Sequence, residues 1–254
     1  MNPKNKRWKG GPVLTQRDIK IFEFLFEYKC ATEEQIRKKF FQNCTYQACY
    51  VRLSKLIERA FIGKKAFIFN NQAKSYFYLK DNGLVLLERN YSLKFIKKEL
   101  ESDSPAHDIG FLDIAENLKE YSMVDRLITE NLFQSNEELL FSDELSPFSR
   151  LNPDAIVKIN IESCDYLVAL EYELSPKWKV RYQKKFLDYY LESGIQGVFY
   201  ICQNEKLKSR LAKIDQEFWN NFDSKIFFCL SEDVFFPSGK VTFSNLNGDN
   251  FYLN

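Results

Sequence analysis

The first third of the chain places apolar residues with the 3.6-residue period of amphipathic helices, three times in succession. Each of these segments opens with a threonine, which caps a helix N-terminus by accepting a backbone hydrogen bond. Two strand-like runs around a polar turn then predict a β-hairpin, and a further periodic segment predicts a closing helix. In order, these elements cover 14–29, 31–41, 45–61, 61–69, 76–80 and 81–90. Three helices followed by a hairpin predict a winged helix-turn-helix.

The rest of the chain alternates strand-like and helix-like patterns, which predicts an α/β core with a mixed sheet. In order, we expect a helix at 107–121, a strand at 123–133 that carries Glu130, a loop at 134–150, strands at 154–161 and 165–173, a helix at 175–193, a strand at 194–202, a helix at 203–221 and a strand at 225–230. The two neighbouring strands predict a second hairpin. Ser175 and Pro176 are expected to start the helix that follows, with Trp178 on its apolar stripe.

Charge divides the chain into two halves. Residues 1–100 carry 21 Lys and Arg against 9 Asp and Glu, whereas residues 101–254 carry 15 against 26. A basic half joined to an acidic half suggests two units with different tasks. The polar stretch at 97–107 indicates the boundary. We therefore expect a basic DNA-binding domain at 1–98 and an α/β domain at 99–254.

The basic half offers candidate DNA contacts, because residues near the start of the third helix of a winged helix reach base edges. Here they are Thr45, Tyr46 and Gln47, and Gln can pair with adenine. Five cations further along can meet phosphates, namely Arg52, Lys55, Arg59, Lys64 and Lys65. The expected partner is double-stranded DNA. A protein–protein module of the same fold and a basic surface without function are the open alternatives.

Carboxylates gather at the ends of the second predicted hairpin, within NPDAIVKINIESCDYLVALEYELSPK. Period-2 alternation puts Glu171 and Glu173 on one strand face, and antiparallel pairing brings Asp154 to the same edge. Such acids repel one another unless a cation intervenes, and hard oxygen ligands suit Mg²⁺ or Mn²⁺. Lys177 and Lys185 are the candidates for stabilising charge on a phosphate. The alternative is that these acids are solvated strand ends.

A proline-aspartate pair followed by E-x-E at the end of the next strand resembles the PD-(D/E)xK nuclease superfamily. Taken over nearly its full length, the chain resembles the MOBC family of plasmid mobilization relaxases and the broader replication-relaxation family. The motifs that carry this resemblance are LTQRDIKIFEFL at 14–25, HDIGFLDIAENL at 107–118, Glu130, NPDAIVKI and LVALEYELSPK.

The resemblance implies a winged helix-turn-helix followed by a restriction-endonuclease-like core that nicks one DNA strand at an origin of transfer on a plasmid. Asp154 and Glu171 match the metal-binding acids, and Glu130 matches an acid supplied by the preceding element. Glu173 stands where the superfamily usually has its lysine, so Lys177 or Lys185 would have to fill that role. An accessory mobilization protein and a coupling ATPase are the implied partners.

Two other functions remain open at this stage. One is a DNA-binding replication or relaxosome accessory protein, or a transcriptional regulator, whose nuclease fold is inert. The other is a restriction-type endonuclease that cuts both strands. The nucleophile is also open, because Tyr182, Tyr189 and Tyr190 follow the acids, although their spacing is that of a core stripe. The chain has one histidine, too few for a three-histidine metal cluster.

Composition indicates the cellular compartment in which the protein is expected. The N-terminus has no apolar signal-like segment, and no apolar run approaches membrane-spanning length. The six cysteines are scattered without a C-x-x-C pair, which favours reduced thiols. We therefore expect a cytoplasmic protein without a membrane partner.

Overall fold

The computed structural model describes residues 13–69, 71–92, 94–96, 99–140, 142–219, 223–235 and 239–254. The chain divides into two compact units, residues 1–109 and 110–254. The division lies after Ile109, whereas the sequence places the domain boundary after residue 98. None of the helices formed by the described residues has both the length and the apolar character needed to cross a bilayer.

Unit 1 contains the helices and the hairpin that its periodicity predicts. Its elements are α1 (Gln16–Tyr28), α2 (Glu33–Phe40), α3 (Tyr46–Glu58), β1 (Ile62–Phe69), β2 (Gln72–Leu79) and α4 (Asp81–Tyr91). β1 and β2 pair antiparallel along their whole length. A single bridge also joins Ala31, between α1 and α2, to Phe77 of β2, with backbone N to O distances of 3.0 and 2.8 Å. The hydrophobic pattern does not predict that bridge.

The first three helices of unit 1 start where their capping residues predict. Thr15, Thr32 and Thr45 are the N-caps of α1, α2 and α3. At α2, the Thr32 hydroxyl accepts from the Gln35 amide at 3.2 Å and the Gln35 side chain accepts from the Thr32 amide at 2.9 Å. This reciprocal arrangement satisfies two backbone donors that a helix end otherwise leaves unpaired.

Unit 2 is built on a seven-stranded mixed sheet in the order β3-β4-β5-β6-β7-β8-β9. The strands are β3 (Val124–Thr129), β4 (Ala155–Ile161), β5 (Cys164–Glu173), β6 (Gly197–Cys202), β7 (Ile226–Leu230), β8 (Val241–Ser244) and β9 (Asn250–Leu253). The helices are α5 (Pro105–Leu118), which begins in unit 1, α6 (Glu130–Ser135), α7 (Glu137–Leu140), α8 (Ser146–Leu151), α9 (Lys179–Leu191), α10 (Glu205–Trp219) and α11 (Ser231–Phe235). The mixed α/β fold expected from the sequence is confirmed.

The arrangement of the central strands allows a site to form at one end of the sheet. β4 and β5 form the predicted antiparallel hairpin, whereas β5, β6 and β7 run parallel and are joined through α9 and α10. Both helices pack on one face, where Tyr189 of α9 and Leu211 of α10 are fully buried with Ala169 of β5. On the opposite face, a Cβ at Gly110 of α5 would come within 2.9 Å of the Tyr172 hydroxyl. Glycine therefore permits this close approach.

Several local expectations in unit 2 are wrong. Residues 134–150 are not simply a loop, because α6 ends there and α7 and α8 lie there. Glu130 begins α6 instead of lying within a strand. The helix expected from Ser175 starts at Lys179, so Lys177 precedes its first turn. Trp178 is 87% exposed and takes no part in the core.

Candidate functional site

The register of the β4–β5 hairpin brings together the first two candidate acids. Ala155 lies opposite Leu170, so the residues that continue this register, Asp154 and Glu171, also face each other. The Tyr172 amide donates to the Asp154 carboxylate at 2.7 Å, which holds that carboxylate beside β5. Asp154 and Glu171 therefore converge as the sequence predicts.

The neighbouring helix, α9, supplies a cation to this pair. The Lys185 ammonium lies 2.7 Å from a Glu171 oxygen and donates to the Asn152 carbonyl at 3.3 Å. One helical turn further, the Tyr189 hydroxyl donates to the same Glu171 oxygen. Because residues four apart share a helix face, Lys185 and Tyr189 approach Glu171 together. Lys185 is thus the candidate lysine that the structure places against Glu171.

Burial dominates the electrostatics of this cluster. The pKa of Glu171 is raised from 4.5 to about 7, because burial, helped by the charge of Asp154, raises it more than the charge of Lys185 lowers it. For Lys185, burial lowers the pKa, but attraction to Glu171 and Asp154 outweighs it and the net direction is upward. Burial also raises the pKa of Tyr189 well above its usual value. The site therefore holds an acid that changes protonation near neutral pH beside a lysine that stays charged.

Glu130 joins the site through backbone and side-chain contacts around Asp154. Its amide donates to the Asp154 carbonyl at 2.8 Å, which ties the start of α6 to the start of β4. The Asn152 side chain donates to the Glu130 carboxylate. Asn152 links both sides of the site, because its carbonyl accepts from Lys185. It lies in the left-handed region at φ 52°, which asparagine tolerates better than most residues.

Asn152 is a site residue that the sequence interpretation missed. Its position two residues before Asp154, in an N-P-D turn, was the available signal.

Glu173 lies in a separate group of contacts. Lys177 approaches one of its oxygens at 2.6 Å, and the Tyr182 hydroxyl donates to the other at 3.1 Å. The same hydroxyl accepts from the Lys177 amide at 3.0 Å, which fixes the chain between β5 and α9. Both oxygens of Glu173 therefore have a partner. Lys177 contacts Glu173 and not the Asp154–Glu171 pair.

The donor set limits which metal site this region could form. Among the residues that the structure describes, no group of three or more His, Cys, Asp or Glu side chains is arranged to hold a metal ion. The expected set of Asp154, Glu171 and Glu173 is therefore not assembled as a three-carboxylate cage. The pair of Asp154 and Glu171 fits a different site, since Mg²⁺ is often bound by one or two carboxylates together with water and substrate phosphate.

The expected nucleic-acid contacts of unit 1 lie on and after α3. Thr45, Gln47, Ala48, Val51, Arg52 and Lys55 line a surface concavity of about 440 Å³. Tyr46, Gln47, Lys55, Arg59 and Lys64 are exposed. The Thr45 hydroxyl accepts from the Ala48 amide at 3.2 Å, so it serves as the helix cap. Lys65, at the hairpin, forms an ion pair with Glu101.

Arg52 has a different role from the phosphate contact expected of it. Its Nε donates to the Asp18 carboxylate at 2.7 Å, and a terminal nitrogen contacts the same carboxylate and the Val13 carbonyl, the latter at 3.1 Å. Asp18 is completely buried. Arg52 therefore neutralises a buried acid and fastens α3 to α1.

Comparisons with known proteins give little guidance. No protein-family model and no curated protein matches the chain. Among solved structures, the restriction endonuclease FokI is similar at 11% identity over 86% of this chain and 68% of that chain, with a TM-score of 0.22. A superposition this loose carries no argument about fold or activity. The function of the chain has to be inferred from its own residues.

Proposed function

We propose that the protein is a divalent-metal-dependent DNA endonuclease that hydrolyses a phosphodiester bond in one strand. The observation that carries the proposal is the convergence of Asp154, Glu171 and Lys185 at one end of the β4–β5 hairpin. Two carboxylates and a lysine at such a position are the groups that metal-assisted phosphate hydrolysis needs.

Asp154 and Glu171 would hold the ion, Mg²⁺ or Mn²⁺. When bound, such an ion polarises the phosphate and lowers the pKa of an attacking water. Lys185 supplies a fixed positive charge beside Glu171, 2.7 Å from its oxygen, and can donate to a phosphate oxygen as negative charge accumulates there. Asn152 holds Lys185 and Glu130 in place through its carbonyl and side chain.

Water is the nucleophile favoured by the surroundings of the tyrosines. Tyr182, Tyr189 and Tyr190 are all buried, and the hydroxyls of Tyr182 and Tyr189 donate to Glu173 and Glu171. Burial raises the pKa of each of these tyrosines, which makes the phenolate harder to form. Hydrolysis by water leaves a free nick and no protein–DNA bond.

Unit 1 is proposed to be a winged helix-turn-helix that delivers duplex DNA to the site. Its three helices, its hairpin and the bridge from Ala31 to Phe77 support that fold. Exposed Tyr46 and Gln47 at the start of α3 support base contacts, and exposed Lys55 and Lys64 support phosphate contacts.

The more specific proposal is nicking at an origin of transfer during plasmid mobilization. It rests on the resemblance to the MOBC family and brings with it an accessory mobilization protein and a coupling ATPase. A hydrolytic nick discards the phosphodiester energy that strand rejoining needs. In this form of the proposal, rejoining therefore requires a separate activity.

A second candidate is a DNA-binding accessory or regulatory protein without catalysis. The observation in its favour is that Glu171 and Glu173 each have a lysine and a tyrosine as partners. Such a network can stabilise the end of β5 without any metal.

The test incubates the purified full chain with supercoiled plasmid, with and without Mg²⁺ or Mn²⁺. The proposal predicts metal-dependent conversion to open circles that carry no covalently attached protein. Linear product would identify a restriction-type endonuclease instead. Unchanged plasmid, together with retained DNA binding, would identify the non-catalytic protein.

A further inference from the structure

A basic groove lies between α9 and α10 of unit 2, apart from the carboxylates already described. Its volume is about 420 Å³, and its lining includes Lys179, Lys206, Arg210, Lys213 and Glu217. Residues 101–254 carry only 15 Lys and Arg against 26 Asp and Glu, yet four of those cations line this groove. The concentration of positive charge runs against the acidic character of the surrounding half.

The groove cations share one helix face. Lys206, Arg210 and Lys213 follow one another at spacings of four and three, which places them in a row along α10. Leu207, Leu211 and Ile214, each the residue after one of these cations, bury the adjacent side of the helix against the sheet. The row is therefore presented to solvent by the same packing that fixes the helix.

Little within unit 2 neutralises this row. Glu217 is the acidic residue in the groove lining, and it is paired with Lys179 and receives a hydrogen bond from Gln183. Arg210 donates to the Lys177 carbonyl at 3.1 Å. Within the described parts of the chain, Lys206 and Lys213 have no ion-pair partner. These charges remain available to an anionic ligand.

An exposed tryptophan adjoins the groove. Trp178 lies between Lys177, whose carbonyl Arg210 contacts, and Lys179, which lines the groove. Its side chain is 87% exposed, and that of Val180 is 73% exposed. A positively charged groove combined with an aromatic surface is the arrangement that binds single-stranded nucleic acid, by phosphate attraction and base stacking.

We propose that Trp178 and the α9–α10 groove bind single-stranded DNA next to the cleavage site. This inference rests on the proposed function for its biological meaning, because it makes an unpaired strand the substrate of unit 2. Lys177 connects the two regions, since its side chain pairs with Glu173 and its carbonyl accepts from Arg210. A strand in the groove would thus pass close to the end of β5.

The test measures binding of a fluorescent oligothymidylate of about 15 nucleotides to the full chain by anisotropy, in EDTA so that cleavage cannot occur. Trp178→Ala should weaken binding about tenfold, and Trp178→Phe should restore part of it. The double variant Lys206→Ala, Lys213→Ala should reduce the slope of log affinity against log salt by about 0.7 per lysine. Tyr166→Ala and Lys184→Ala, at exposed positions of unit 2 outside the groove lining, are the controls and should bind like wild type.

Unchanged affinity in both Trp178→Ala and the double lysine variant would overturn the inference. So would wild-type protein that binds duplex DNA but no oligothymidylate. If the proposed endonuclease function were wrong, the experiments would give a different result. In that case no metal supports cleavage, while oligothymidylate binding still depends on Trp178, and this outcome would support the groove assignment.

Discussion

At the scale of single residues, the structure distinguishes between Lys177 and Lys185, the two candidates for the proposed catalytic charge. Lys185 contacts Glu171, the acid that faces Asp154, whereas Lys177 contacts Glu173. The sequence could not make this distinction, because the outcome depends on where α9 begins. A start at Lys179 leaves Lys177 in the connection and puts Lys185 within the second turn.

Replacing Lys185 should therefore damage catalysis more than replacing Lys177. We expect Lys185→Met to lower the cleavage rate by about 10²-fold or more, because it removes the charge that we propose acts on the reacting phosphate. Lys177→Met should lower the cleavage rate only about a few fold, which is the size of effect expected when a contact only positions a neighbouring residue. Lys184→Met, at an exposed neighbouring position, is the control. A larger loss in Lys177→Met would assign the catalytic charge to Lys177.

The protonation of Glu171 should appear in the pH profile. Burial raises its pKa to about 7, and the protonated acid is a poor metal ligand. At subsaturating Mg²⁺, the cleavage rate should rise about tenfold per pH unit below pH 7 and then level off. Single-turnover rates across this range test the expectation, and a flat profile from pH 5.5 to 8 would contradict it.

The same shift has a consequence for stability. Because the folded-state pKa of about 7 exceeds the usual 4.5, the unfolded chain gives up this proton more readily than the folded chain does. The contribution of Glu171 to the free energy of unfolding should therefore decrease as pH rises from 4.5 toward 7. Glu171→Gln should remove that part of the pH dependence, as measured by urea unfolding.

At the scale of elements, local signals predicted the ends of some helices and failed at others. Thr15, Thr32 and Thr45 cap α1, α2 and α3 because each cap is satisfied within its own first turn. Ser175 and Pro176 form an equally plausible local start, but α9 begins later. There the Lys177 amide donates to Tyr182 and the Arg181 amide donates to the Trp178 carbonyl. At that position, contacts within the connection and the first turn of α9 outweigh the capping signal.

The contact between α3 and α1 shows why residue type alone misassigned Arg52. Arg52→Met would leave the carboxylate of Asp18 buried without its cation, which should cost roughly 3 kcal/mol of unfolding free energy. Lys55→Met, on the exposed face of the same helix, should change stability by less than about 0.5 kcal/mol. Urea unfolding measures both. If Arg52→Met kept its stability and instead lost affinity for duplex DNA, the result would support the phosphate contact first expected of Arg52 and contradict its structural role.

At the scale of the whole molecule, hydrophobic periodicity predicted more than the spacing of motif residues did. The element order of unit 1, the β4–β5 hairpin and the facing of Asp154 and Glu171 all follow from hydrophobic patterns and strand alternation. The β8–β9 hairpin was missed, because two strands of four residues give a weak pattern even around a turn containing Gly248. The separation of Glu173 from Glu171 was also missed, because it depends on side-chain partners from α9 and the connection before it.

The charge asymmetry between the halves remains a prediction about DNA. Lys55→Ala and Lys64→Ala should each weaken duplex binding by the full chain, irrespective of sequence, and reduce the salt slope by about 1. Lys240→Ala, an exposed lysine of unit 2, serves as the control. Equal affinities and equal salt slopes for all three variants would show that these cations do not meet phosphates.

The most direct test of metal-dependent cleavage at the Asp154–Glu171–Lys185 cluster compares wild type with Asp154→Asn. The substitution keeps the size of the side chain and removes the charge that would hold the metal. The measurement is the initial rate of plasmid nicking in Mg²⁺ and in Mn²⁺, on protein whose thermal unfolding matches wild type. We predict that wild type nicks with either metal and that Asp154→Asn is slower by about 10³-fold. Equal rates for the two proteins would contradict the assignment of this site.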